Sequence, residues 1–198
     1  LCTRHFPKKL NGDYTNASAD SLEHLVKGML PAIMGHFETF QRFLFSGLFD
    51  SSTVLDGFEI DEFFKKLEKQ TRIEFNLSRI AAHRGIGASS IGSLLVDAMG
   101  GWHSSEKVNS YFNAFGIKSQ FFSNDDCRRL KTLWQLRHSI AHTGGTLTLA
   151  DAQKVSSLKG LGDTNIVFGK NFIFEVARKL HPLVIDATKR LEQDVMGN

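Results

Sequence analysis

The chain has 198 residues, 41% of them apolar, which is enough for one domain with a substantial core and too much for a disordered chain. Its 24 Lys and Arg stand against 21 Asp and Glu, and a formal charge of +3 permits a polyanionic partner without requiring one. Seventeen Phe against two Trp and two Tyr point to rings that pack rather than stack on bases, some of them at a subunit interface.

No run reaches the length of a membrane span, and the first thirty residues lack a signal-peptide pattern, so the expected address is the cytoplasm. Cys2 and Cys127 form no disulfide framework and lack metal-ligand spacing, which fits a reducing compartment.

Residues 1–19 are polar, with Asn11, Gly12 and Asn16, and read as an arm ahead of a single helical domain over 20–198. From Ser18 or Asp20, both cap candidates, apolar positions recur with helical spacing through Leu22, Leu25, Val26, Met29, Ile33, Phe37, Phe40 and Leu44. This predicts one long helix bent near Pro31, where an internal backbone bond is lost. A second helical region follows Ile60, with Phe63, Phe64, Leu67, Ile73 and Leu77 inward and its lysines outward. The stretch from His83 to Ser90 reads as a loop, and 91–116 as one or two short helices broken at Gly100 and Gly101.

Residues 123–145 carry the clearest helical signal, with Ser123 or Asn124 at the start, two aspartates in the first turn, and Gly144 and Gly145 as the stop. The following segment, 146–165, suggests a brief extended piece and a short helix. A last long helix covers the stretch from Asn171 to Val195, disturbed near Pro182. With no βαβ alternation, no phosphate-binding glycine loop and no internal repeat, the fold class is all-α, a helical bundle with an enlarged middle region from Phe45 to Phe122.

The late helix carries an anomaly. Advancing about 100° per residue from Leu130 places Leu133, Trp134, Ile140 and Ala141 on one apolar stripe, and Arg137 falls inside it. A guanidinium there must be paired to a carboxylate, or that face must meet a cleft or a second subunit where an anion satisfies it. His138 and His142 lie one turn apart on a flank of the same helix, and His142 stands where exposed carbonyls favour a cation. Read singly, His138 is a capping or solvated residue and His142 a dipole partner; read together, they are a pair able to exchange protons.

Arg137 and His142 are separated by about 7.5 Å of rise and do not share a face within one copy. Two copies related by a two-fold axis would gather two arginines and two histidines around one groove suited to a phosphodiester. There arginine would neutralise phosphoryl oxygens while histidine handled the proton of a ribose 2′-hydroxyl or a leaving 5′-oxygen.

The segment RHSIAH, Arg137 to His142, resembles the signature of the HEPN superfamily: arginine, a polar residue, three variable positions and histidine near the end of a late helix in a small helical bundle. The resemblance implies a homodimer with a composite site of Arg137, His138 and His142. It also implies a metal-independent, cofactor-free endoribonuclease that leaves 2′,3′-cyclic phosphate ends. Members commonly act in toxin–antitoxin, phage-defence or RNA-processing systems, with a cognate antitoxin or defence protein as partner. Others have lost catalysis and bind nucleotides, RNA or proteins.

RNA-binding candidates are Arg128, Arg129 and Lys131 at the start of the motif helix, His83 and Arg84 in the loop, and Thr143 after the motif. Each also has a plain reading as solvated charge, local cap or helix-end bond. A zinc helix would need Glu after His138, where Ser139 stands, and no third ligand is near in sequence.

Overall fold

The computed structural model describes residues 12–55, 57–73, 90–169 and 171–196. Among them are seven α-helices, which we number α1 (Gly12–Asp50), α2 (Ile60–Glu68), α3 (Ile91–Ala98), α4 (Ser105–Asn113), α5 (Asn124–Thr143), α6 (Leu149–Gln153) and α7 (Phe172–Met196). A two-stranded antiparallel pairing joins β1 (Thr146–Leu147) to β2 (Thr164–Asn165), with Thr146 opposite Asn165. The architecture is an all-α bundle, as the sequence predicts.

Helix α1 runs the height of the bundle and packs against α3, α5 and α7. Leu30, Met34, Phe37, Gln41 and Phe45 are buried along it, spaced three to four apart as one face of a helix requires, and Ser46 is buried beside them. It begins at Gly12, ahead of Ser18 and Asp20; residues 16–22 are all exposed, so no buried face imposes a periodic signal there. Pro31 lies inside the helix, as expected, and the helical run continues through it.

Phenylalanine fills the centre. Phe45 meets Phe63, Trp102, Tyr111, Phe112 and Phe115 with ring centroids 5.0 to 6.4 Å apart, mostly edge to face. Such pairs add roughly 0.5–1.5 kcal/mol each beyond the burial of their area. Trp102 sits within this cluster and takes the Arg42 guanidinium over its ring at 5.7 Å.

The middle region divides as Gly100 and Gly101 suggest: α3 starts at its cap Ser90, and α4 at Ser104, each side-chain oxygen accepting from a backbone N–H three residues on. Where α3 crosses α1, Gly92 lies so near that a Cβ there would stand 2.4 Å from the Ser46 carbonyl oxygen. The Gly92 N–H donates to Asp50 Oδ1 at 2.8 Å, and the Ser46 hydroxyl lies 3.2 Å from those of Ser90 and Ser93.

Helix α5 opens with a capping box: Ser123 Oγ accepts from the Asp126 N–H, and the Asp126 carboxylate accepts from the Ser123 N–H. Gly144 closes it in the left-handed conformation, φ 64°, which glycine adopts without penalty. Behind it, β1, α6 and β2 enclose a second, smaller core of Leu147, Ala152, Val155, Leu158 and Ile166. Leu136 and Ile140 of α5 pack against both cores, so the two are joined through the late helix. Helix α7 lays Ile173, Val176, Leu180, Leu183, Ala187 and Leu191 inward and includes Pro182.

Candidate functional site

The site is built on α5, whose two sides differ. Cys127, Leu130 and Trp134 face the main core, while Lys131, Gln135, His138 and His142 fall within about 60° of one another on a polar side. His138 and His142 are both exposed, their ring centroids 4.4 Å apart, so the one-turn spacing does bring the imidazoles together. Arg137 lies about 140° around the helix from His142 and is half-buried. Its Nε is enclosed with no hydrogen-bond partner, and no carboxylate pairs with it among the described residues.

Beside the polar side of α5 is a cavity of about 560 Å³. Lys131, Trp134, Gln135 and His138 form one wall. The opposing walls come from the segment His103 to Glu106 at the start of α4 and from Lys154 and Val155 after α6. Two lysines and two histidines thus face the single carboxylate of Glu106, which accepts from Ser104 Oγ at 3.2 Å. Lys131 has no carboxylate partner among the described residues, whereas Lys154 is held at 2.7 Å from Asp151. That bond, with a weaker contribution from His138, keeps the Asp151 carboxyl below the usual carboxylate range.

One polar group in the cavity wall is unsatisfied. The Gln135 Nε2 is enclosed and meets no acceptor among the described residues, and an unmet buried donor costs about 1–3 kcal/mol. Trp134 is nearly buried and its ring meets that of His103 edge-on at 6.4 Å, giving the cavity an apolar floor.

The remaining candidates separate by surroundings. Arg128 is exposed and paired with Asp125 one turn back. Arg129 lies on the other side of α5, bordering an apolar groove toward Val176 and Leu180 of α7. The Thr143 hydroxyl donates into the helix end, where the Ser139 carbonyl at 2.6 Å and the Thr146 carbonyl both accept, so it is occupied by the turn. His83 and Arg84 lie outside the described residues.

Sequence reasoning did not single out His103, Trp134, Gln135 or Lys154 as a group. Gln135 was within reach, since the helical angle that joins His138 to His142 also joins Gln135 to both. His103 and Lys154 arrive from elements whose placement against α5 is a tertiary fact with no periodic trace.

Among the described residues no group of three or more His, Cys, Asp or Glu is arranged to hold a metal ion, and no helix is long and apolar enough to cross a membrane. Comparison of the chain with protein-family models, with curated proteins and with solved structures gives no match.

Proposed function

We propose that the chain is a helical module that binds RNA along the polar side of α5. The observation that carries this reading is the convergence of Lys131, Lys154, His103 and His138 on one cavity, with His142 beside His138. A sugar-phosphate strand supplies an anion to Lys131, which has no carboxylate partner among the described residues, and its affinity falls with salt as counterions compete. The test is anisotropy of labelled single-stranded RNA at about 50 and 200 mM salt. Binding that weakens with salt and again in Lys131→Gln supports the reading, and salt-independent binding or none rejects it.

A second reading, metal-independent endoribonucleolysis, is favoured by a specific observation: Arg137 keeps an enclosed guanidinium nitrogen that no group among the described residues satisfies. In a two-fold dimer, Arg137 of one copy would neutralise the phosphoryl oxygens near the histidines of the other. The ribose 2′-oxygen would bond to phosphorus as its proton passes to one imidazole, and the 5′-oxygen would leave with a proton from another, giving a 2′,3′-cyclic phosphate. Cleavage that survives chelator and falls by about two orders of magnitude in Arg137→Ala or His142→Ala supports this. Cleavage indifferent to both substitutions rejects it, and its absence with RNA binding intact leaves a binding module. The HEPN resemblance, the homodimer and a toxin–antitoxin or phage-defence setting belong to this second reading. Light scattering tests the dimer, and co-purification tests a cognate partner.

A further inference from the structure

Of the eight histidines, only His138 and His142 are spaced one helical turn apart in the chain. Both rings are exposed on α5, their centroids lie 4.4 Å apart, and their planes are tilted by 44°, so they do not stack flat on one another. Neither ring makes a hydrogen bond or an ion pair among the described residues, which leaves ring nitrogens open to a ligand.

Two imidazoles at i and i+4 on one helix face can chelate a divalent transition metal. With a metal–nitrogen bond of about 2.0 Å, and the ring centre about 1.1 Å beyond the nitrogen, two rings on one metal have centres about 4.4 Å apart at a right angle and about 5.1 Å apart at the tetrahedral angle. The spacing of His138 and His142 matches the right angle. Such positions belong to tetragonal copper(II) and nickel(II), and copper(II) stands highest in affinity for nitrogen sites. The surroundings also favour a cation: His142 occupies the last turn of α5, where helix carbonyls face outward, and the Asp151 carboxylate acts on His138. Lys154 holds that carboxylate at 2.7 Å, so Asp151 balances charge without coordinating. Among the described residues no third His, Cys, Asp or Glu completes a cage, and water fills the other positions of such a site.

We propose that His138 and His142 chelate copper(II) as a two-nitrogen site on the surface of α5, and that the bound metal silences the imidazole pair. A neutral imidazole has one nitrogen lone pair, and the metal takes the electrons that would otherwise accept a proton. The chelate stands on the ring geometry alone. The silencing rests on the reading of the pair as the proton-transfer groups of RNA cleavage.

The experiment titrates copper(II) chloride into the full chain and into its Cys2→Ser form, because a thiolate also takes copper, with calorimetry and electron paramagnetic resonance as readouts. Cys127 is buried and does not compete. One equivalent should bind with two nitrogens coupled to the copper spin, nickel(II) should bind more weakly, and magnesium should not bind. His138→Ala and His142→Ala should each weaken copper about tenfold or more, and the double substitution little further, because the second nitrogen joins intramolecularly. His181→Ala, at an exposed position of α7, should leave the affinity unchanged. In the cleavage assay one equivalent of copper should stop the parent chain, and a chelator should restore it.

The proposal is overturned if each single substitution costs only about twofold, as independent histidines would. It is equally overturned if His181→Ala costs as much, or if the copper spin couples to a single nitrogen. Two-nitrogen binding that leaves cleavage running keeps the chelate and overturns the silencing. A chain that takes copper at both rings but cleaves no RNA keeps the chelate and removes the proton-transfer reading instead.

Discussion

Replacing Arg137 by methionine sets stability against function at a single position. The Arg137 Nε is enclosed without an acceptor among the described residues, a condition that costs about 1–3 kcal/mol for a buried donor. Methionine keeps most of the apolar stem along the α5 stripe and removes that donor together with the charge. Because the residue is only half-buried and the end of its guanidinium has access to water, we take the low end of the range, a gain of about 1 kcal/mol. For a chain of this length that raises Tm by about 2–4 °C. Arg190 is the control: its Nη1 donates to the Phe121 carbonyl at 3.0 Å and its Nη2 lies 3.9 Å from Asp126. Arg190→Met should therefore lower stability by about 1 kcal/mol. Differential scanning calorimetry of both variants, beside RNA binding and metal-free cleavage, makes the comparison. Arg137→Met should be as stable as the parent or more so while its activity on RNA falls. A loss of about 1 kcal/mol or more, or full activity on RNA, refutes the view that Arg137 is held for an external anion.

Gly92→Ala should destabilise the chain by about 1–3 kcal/mol in urea unfolding, since the new methyl meets the Ser46 backbone at 2.4 Å and α1 and α3 must separate. Ser123→Ala removes the acceptor for the Asp126 N–H at the start of α5 and should cost about 1 kcal/mol in the same assay. Burial, followed by Glu106 and Asp126, pushes the Cys127 thiol up to about 11, so iodoacetamide at pH 8 should label this site only as the chain unfolds, read by peptide mapping. Because the folded thiol holds its proton more tightly than the unfolded one, that stabilisation is complete below the ordinary value of 9.0. It is lost as pH rises from there through about 11.

The long elements were legible because their signals are local. Ser123 and Gly144 bracket α5 in the sequence and do so in the structure, and the inward faces of α1 and α7 follow from spacing alone. The aromatic core was legible in kind, since Phe without a polar handle packs, but no periodicity names Phe45 as the ring that five others surround. The start of α1 was not legible, because exposed polar residues write no pattern whether helical or not. Of the candidate site, the adjacency of His138 and His142 was readable from one turn of helix. The cavity was not, because two of its three walls depend on how α4 and the segment after α6 dock.

Leu136 and Ile140 belong to both apolar clusters, and this has a mechanical consequence. The wall that carries Lys154 and Val155 hangs on the smaller cluster, and the wall that carries His103 to Glu106 hangs on the larger. The gap between them therefore behaves as a jaw with one heavy and one light half. Thinning the light half at Val155 or Leu158 should widen it without softening the bundle, and amide hydrogen exchange should quicken from Leu147 to Ile166 long before it does in α1.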